Sequence, residues 1–149
     1  MLKRVQVISS ALLVLTSPLA PAAEPALTYA FQDTHLNWGA CPDFIPKGCE
    51  IAVLHGDPGK PNADVFFKVP ADFRIPWHSH TSAERMVLVS GELRVTYEGQ
   101  PSTVLKPGMY AYGPAKLPHE AVCGSGAHCI LFIAFEAPVD AVAVKQGEE

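Results

Sequence analysis

Short strand-like runs separated by turn residues dominate the sequence after residue 50. The runs are apolar or alternate between apolar and polar residues, and they cover residues 51–55, 64–69, 84–90, 92–98, 102–105, 109–112, 119–123 and 128–136. Clusters rich in glycine, proline and aspartate, such as "GDPGKPN" and "VPAD", lie between them. Many short β-rich runs at close spacing with such turns are typical of a sandwich or a small barrel. We therefore predict an all-β fold.

The N-terminal segment is typical of an export signal. Lys3 and Arg4 precede the apolar stretch "ALLVL", and the small residues "APA" follow it. A positive start, an apolar centre and a small-residue cleavage site together indicate a cleaved signal peptide. Two prolines interrupt the segment, and its apolar core is shorter than the roughly 20 residues of a membrane-spanning helix. We predict a signal peptide over residues 1–22 and a periplasmic or secreted protein.

The rest of the chain divides into three parts. Residues 23–50 are rich in proline and have no regular period, and they predict an irregular N-terminal arm. Residues 51–144 carry the strand-like runs and predict one β-barrel domain, whereas residues 145–149 predict a disordered C-terminal tail. A length of 149 residues suits a single domain.

The charge of the chain is mildly acidic. It has 11 basic and 15 acidic residues, and the predicted cleavage removes two basic residues and no acidic one. Proteins that bind nucleic acids or anionic membranes carry basic patches or runs. Because the predicted mature chain has no such run, its composition argues against nucleic acid and, after signal cleavage, against a membrane as a partner.

The four cysteines lie in the predicted mature chain at Cys41, Cys49, Cys123 and Cys129. In an oxidising compartment an even number of cysteines favours disulfides. Of the three possible pairings we favour Cys41–Cys49 and Cys123–Cys129, because each closes a short loop. The alternative is a thiolate metal site formed by Cys123, His128 and Cys129.

The stretch "WHSHTSAERMVLVSG", residues 77–91, combines two histidines with a glutamate. Side chains alternate between the two faces of a strand, so His78 and His80 point the same way, roughly 6–7 Å apart. Glu84 has the same parity as Met86 and Leu88, so an inward Glu84 places those two side chains in the same interior. Imidazole and carboxylate ligands suit a divalent first-row metal ion. This stretch therefore predicts part of a metal site.

Two stretches of the chain resemble the two motifs of the cupin superfamily. The first motif, HxH followed by Glu and Gly at fixed spacing, is matched by His78, His80, Glu84 and Gly91. The second motif is matched within "GMYAYGPAKLPHEAVC" by Gly108, Pro114 and His119. The resemblance covers about residues 50–136. It departs from the family at Asp72 and Lys116, where glycines are usual, and at Cys123, where asparagine is usual; none of these family positions is usually a ligand.

The resemblance implies a jelly-roll, a double-stranded β-helix of two antiparallel sheets. It also implies a divalent ion (Fe, Mn, Ni, Co, Cu or Zn) held by His78, His80, Glu84 and His119. In that arrangement the first three residues come from one sheet region and His119 comes from a facing strand. Glu84 is either a fourth ligand, which we favour, or an uncoordinated catalytic base beside the ion. Many cupins pair as dimers, so a homodimer is expected by analogy.

The implied ligand set points to an enzyme. Four protein ligands leave two positions of an octahedral ion open, as in catalytic sites. Cupins with these ligands include dioxygenases, decarboxylases, isomerases and lyases, and the fold alone does not choose among them. We expect a metal-dependent enzyme that acts on a small oxygenated molecule, with a dioxygenase-type reaction as the leading class. The alternatives are a non-catalytic protein that binds a metal or small ligand and, third, a structural protein that keeps only the barrel.

Two further pairs of residues have open roles. Arg74 and Lys68 are candidates for binding a substrate carboxylate, and the alternative is that both are solvated strand-edge charges. Tyr110 and Tyr112 share one face of a strand. Either these tyrosines or their alternating neighbours should line the interior.

Overall fold

The structure is a computed structural model that describes residues 24–145. The predicted signal peptide, residues 1–22, lies outside the described residues, and so do residues 146–149 of the predicted tail. Between residues 24 and 145 the structure contains no helix long and apolar enough to cross a membrane.

All the regular elements of the described residues are β-strands. They are β1 (Trp38–Ala40), β2 (Glu50–His55), β3 (Ala63–Val69), β4 (Arg74–Ser79), β5 (Glu84–Ser90), β6 (Leu93–Tyr97), β7 (Thr103–Leu105), β8 (Tyr110–Gly113), β9 (His119–Cys123), β10 (Cys129–Phe135) and β11 (Val142–Ala143). Each of the eight runs named from the sequence contains or closely overlaps one strand, and the predicted all-β fold is confirmed. β1, β4 and β11 lie outside these eight runs, although the strand alternation predicted for His78 and His80 matches the end of β4.

The strands form two antiparallel sheets that enclose one interior. The first sheet has six strands in the order β1-β2-β3-β10-β5-β8, and the second has five in the order β11-β4-β9-β6-β7. Strands that follow one another along the chain often lie in different sheets, as β3 and β4 do, and β9 and β10. This is the jelly-roll that the resemblance implied.

The N-terminal arm is more regular than predicted, because it contributes a strand and covers the six-stranded sheet. β1 pairs with β2, with Trp38 opposite Ala52. Leu36 from the arm packs with Ala52, Phe66 and Ile130 in a second core on the outer face of this sheet. Strands that are buried on both faces have largely apolar sequences, as "VFF" in β3 and "ILFIAF" in β10 do. The arm therefore covers the outer face of these strands.

Both disulfides favoured from the sequence are present. Cys41–Cys49 and Cys123–Cys129 have Cα–Cα distances of 5.6 and 5.8 Å, within the usual range of about 4.4–6.8 Å. The first closes loop 41–49, whose Ile45 is buried in the main core between the sheets.

Two turns have a backbone that glycine usually adopts. Asp72 and Lys116, which replace motif glycines, have φ angles of 59° and 65°. A left-handed residue with a side chain costs roughly 1–2 kcal/mol, yet both turns keep this geometry. The backbone amide of Lys116 donates to the carbonyl of His80 at 2.7 Å. The departures from the motif therefore leave the turn beside the predicted ligand in place.

Candidate metal site

Three of the predicted ligands come from adjacent strands of the five-stranded sheet. His78 in β4 and His119 at the start of β9 are direct register partners, and His80 follows the end of β4. Glu84 begins β5, which belongs to the six-stranded sheet. The expectation that His78, His80 and Glu84 share one sheet region, with His119 on a facing strand, is therefore wrong. The chain crosses between the sheets at residues 80–83, so it is the glutamate that comes from the opposite sheet.

Strand alternation aims these side chains at the interior. His119, Ala121 and Cys123 are buried along β9, while the residues between them are only half-buried. On β5, Glu84 is buried together with Met86 and Leu88, as parity predicted. The three histidines and the glutamate thus meet inside the molecule, each less than a tenth exposed.

The backbone orients all three imidazole rings in the same way. The Nδ1 atom of His78 lies 2.7 Å from the carbonyl oxygen of Pro76, and that of His119 lies 3.1 Å from the carbonyl of Leu117. The Nδ1 atom of His80 contacts the carbonyl of Asp140. A carbonyl only accepts hydrogen bonds, so each Nδ1 carries the proton and each Nε2 keeps its lone pair. Such backbone bonds are typical of metal-binding histidines.

The imidazoles form one compact cluster. The ring centroids of His78 and His119 are 4.2 Å apart, and that of His80 lies 4.8 and 5.3 Å from them. One ligand atom from each ring lies within 4.8 Å of the others. Two nitrogens bonded to one ion at about 2.1 Å lie up to about 4.2 Å apart, a separation close to that of this cluster. The three rings therefore fit a single divalent ion.

Glu84 lies against two of the imidazoles. Its Oε1 is 3.2 Å from Nε2 of His80, and its Oε2 is 3.4 Å from Nε2 of His119. Within the described residues, Nε2 of His80 and Oε2 of Glu84 are buried without a hydrogen-bond partner. Buried polar atoms without partners are costly. A bound cation would satisfy both atoms at once, so the donor set fits the metal that the resemblance implies.

Burial keeps the cluster ready to bind a cation. Desolvation, followed by repulsion from His119 and His80, lowers the pKa of His78 to about 3. Desolvation is also the main cause that lowers the pKa of His119 to about 4. Burial raises the pKa of Glu84, and the nearby His80 opposes that rise. The two histidines are therefore neutral at pH 7, as metal ligands must be.

A cavity of about 250 Å³ opens beside the cluster between the two sheets. His78, His80, Glu84 and His119 line part of its wall, and apolar side chains such as Met86 line most of the rest. Loop 41–49 and residues 139–141 contribute to its edge. An ion held by the cluster would therefore be accessible to a small molecule.

Several other candidate residues lie away from this cavity. Arg74 forms an ion pair with Glu120, and Lys68 lies 2.6 Å from the carboxylate of Glu50. Neither cation lines the cavity, which matches the alternative of strand-edge charges. The exposed tyrosines of β8 face solvent, and Ala111 between them packs against the core.

The alternative thiolate site is not formed. Cys123 and Cys129 are joined in a disulfide, and His128 is exposed. A disulfide leaves no thiolate to coordinate an ion.

Two residues near the cluster were not identified from the sequence. Tyr97, the register partner of His119 on β6, has a buried hydroxyl without a hydrogen-bond partner among the described residues. Burial and then the Glu84 carboxylate raise its pKa, so the hydroxyl stays protonated. Asp140 is 60 positions from His80, to which its carbonyl is bonded. Neither residue belongs to a motif, so no sequence signal marks it. Strand pairing brings Tyr97 to the cluster, and the path of the chain brings Asp140 there.

Comparison with known proteins agrees with the fold and the motif positions. The family described as "Cupin domain" matches residues 65–135. A search of curated proteins finds no match.

Solved structures with the same fold share little sequence with this chain. The DMSP lyase DddQ from Ruegeria pomeroyi DSS-3 has a TM-score of 0.64 and 21% identity, covering 76% of this chain and 64% of that one. The polyketide cyclase RemF from Streptomyces resistomycificus has a TM-score of 0.63 and 19% identity over 82% and 89% of the two chains. An RmlC-like cupin from Shewanella frigidimarina has a TM-score of 0.59 and 21% identity over 78% and 93%. This chain therefore spans less than two thirds of the length of the lyase. At these sequence identities the similarity to the three structures concerns the fold alone. The family match over residues 65–135, together with the jelly-roll sheets, supports membership of the cupin superfamily.

Proposed function

We propose that the protein is a metal-dependent enzyme that acts on a small organic molecule in the cavity between its sheets. The observation that carries this proposal is the convergence of three buried imidazoles, each with Nδ1 bonded to the backbone and one ligand atom within 4.8 Å of the others. A site built only for structure is normally closed by its ligands, whereas this one adjoins a cavity. The sequence pattern of a signal peptide further supports an exported protein.

The residues have distinct proposed roles. His78, His80 and His119 would hold the ion through Nε2, and Glu84 would supply a carboxylate oxygen as the fourth ligand. When bound, a divalent first-row ion supplies Lewis acidity and, if redox-active, electron exchange with O₂. The apolar cavity walls would exclude bulk water and orient the substrate toward the open side of the site.

Within this class, an oxygen-dependent oxidation that incorporates both atoms of O₂ into the product is the reaction we propose to test first. The support is chemical: an open site with three imidazoles and one carboxylate suits ions that react with O₂. The test uses protein reloaded separately with Fe²⁺, Mn²⁺, Ni²⁺, Co²⁺, Cu²⁺ and Zn²⁺. Oxygen uptake is measured with diketones, enolates and flavonoid-like compounds. Uptake that requires the ion and places labelled oxygen in the product would support the proposal.

A second candidate function is a non-catalytic protein that binds a metal or a small ligand. One observation favours it: the cavity has few side chains that could act as a catalytic acid or base. Among the described residues outside the four-residue cluster, Asp140 is the one that lines the cavity and has an ionisable side chain. Its carboxylate already accepts a hydrogen bond from the Thr81 amide at 2.8 Å. Tight metal binding without turnover across this substrate set would favour the binder over the enzyme.

A further inference from the structure

From the cavity and its charges we infer that the natural ligand has one monoanionic head with two chelating oxygens and an uncharged apolar body. This inference rests on the proposed function, because it requires an ion at the histidine cluster. It narrows that function from any small molecule to one chemical class.

The walls of the cavity are apolar on both sides. The six-stranded sheet contributes residues such as Phe67 and Ile133, and the five-stranded sheet contributes residues such as Ile75 and Val95. These side chains offer no hydrogen bond to a ligand. A charged or strongly polar group placed against them would lose its hydration without compensation. The body of the ligand should therefore be apolar.

No lysine or arginine of the described residues lines the cavity. Two basic side chains of the neighbouring strands, Lys68 and Arg74, are instead paired with the acids Glu50 and Glu120. The ionisable side chains of the cavity outside the three histidines are Glu84 and Asp140, which are both acidic. A second negative charge on the ligand would thus lack a partner and would be repelled.

The charge at the cluster selects the head group. The Nδ1 atoms of the three histidines bond to backbone carbonyls, so each ring would coordinate through Nε2 as a neutral imidazole. A divalent ion held by three neutral imidazoles and the Glu84 carboxylate would carry one net positive charge. A monoanionic chelator with two oxygens brings the buried centre to neutrality. A dianion such as oxalate leaves one uncompensated negative charge in an apolar interior, which is unfavourable.

The volume of the cavity limits the size of the ligand body. A dry apolar cavity of about 150 Å³ accommodates benzene, and this cavity is about 250 Å³. It therefore has room for a substituted ring. Val53 of β2 lines the cavity and is 44% exposed, which places it at the mouth. The end of the ligand body that points away from the ion should lie near this residue.

The test uses the protein loaded with Co²⁺, whose visible absorption changes with its ligands. Tropolone, isopropyl-substituted tropolone and oxalate are titrated at mildly alkaline pH, and retained cobalt is measured by elemental analysis. The two tropolones have the same chelating head, so their difference measures contact with the walls. The substituted compound should bind at least about tenfold more tightly, because each buried CH₂ group adds affinity. Oxalate should bind at least about tenfold more weakly than tropolone.

Two variants locate the effect. Val53→Arg places a cation at the mouth, so it should weaken binding of the substituted tropolone and strengthen binding of oxalate. The matched control Val142→Arg changes a valine that is 54% exposed and does not line the cavity, and it should bind all three probes like the wild type. Equal affinity for the two tropolones, tighter binding of oxalate by the wild type, or an unchanged preference in Val53→Arg would overturn the inference. If one of these results is found and the protein retains cobalt, the proposed function still stands. A protein that takes up no cobalt would refute both the inference about the ligand and the proposed function.

Discussion

The two sheets contribute to the candidate site in different ways. In the five-stranded sheet, His78 and His119 are register partners on neighbouring strands, and His80 lies two residues beyond His78. Backbone carbonyls hold each of these rings. In the six-stranded sheet, Glu84 is the one member of the cluster, and no backbone group holds its Oε2 atom within the described residues.

This difference separates a preformed half of the site from an adjustable one. The imidazoles are positioned by local strand pairing and by bonds to the main chain, which require no ion. The carboxylate reaches them across the interior, so its position depends on how the sheets pack. We therefore expect the histidines to dominate affinity for the metal, and Glu84 to tune it.

The largest effect should come from removing a ligand of the preformed half. His119→Ala or His78→Ala should weaken metal binding by at least ~100-fold, because loss of even an outer-shell partner costs roughly 10–100-fold. Metal content after dialysis and competition with a chromophoric chelator measure the change. His128→Ala is the matched control, since it alters an exposed histidine outside the cluster. Undiminished metal in both ligand variants would refute the site.

A smaller effect should follow from changing the adjustable half. Glu84→Gln keeps an oxygen donor but removes the negative charge, and it should weaken metal binding about 10–100-fold. The same competition assay applies, with the exposed Glu92→Gln as control. Unaltered metal affinity with a loss of turnover would instead assign Glu84 as a base that does not coordinate. This result would decide between the two roles that the sequence left open.

The contrast between the sheets also explains what could be predicted from the sequence. His78, His80 and Glu84 share parity along nearly adjacent segments, so their common inward direction follows from strand alternation alone. The sheet to which each belongs does not follow, because the four residues between His80 and Glu84 can form a hairpin or a crossing between sheets. The crossing observed here places Glu84 opposite the histidines.

Long-range contacts were the least predictable part of the site. Tyr97 reaches His119 only because β6 pairs with β9, and Asp140 reaches His80 only because β11 pairs with β4. Neither pairing leaves a period or a motif in the chain. Likewise, the arm was predicted to be irregular because β1 has only three residues, too few to show alternation.

The neutral, buried histidines should also make the metal-free protein sensitive to acid. His78 and His119 have pKa values lowered to about 3 and about 4, so at these two positions the unfolded chain binds more protons than the folded one below about pH 6.5. The free energy of unfolding should therefore fall as the pH drops from 6.5 toward 4. Each histidine should account for about 1 kcal/mol of this loss at about pH 5.5.

The pH effect is measured as a difference between variants, since the raised pKa of Glu84 acts in the opposite direction. Urea unfolding of metal-free protein at neutral and acidic pH gives the loss of stability for the wild type. His119→Gln should reduce that loss, whereas the exposed His128→Gln should retain it. An equal loss in the wild type and His119→Gln would show that the imidazole of His119 is not held neutral.

The smallest effect should come from changing Tyr97, whose hydroxyl lies near the carboxylate of Glu84. A Cβ atom at Gly113 would lie 3.1 Å from Oε2 of Glu84 and 3.4 Å from the Tyr97 hydroxyl, so both atoms border one small space. A hydrogen bond there, direct or through one water, would hold Glu84. Tyr97→Phe should then weaken metal binding about threefold, the low end for one hydrogen bond, and the exposed Tyr110→Phe should not. If the hydroxyl has no partner in the loaded protein, Tyr97→Phe would instead leave metal affinity unchanged and raise stability, because it removes an unsatisfied buried group.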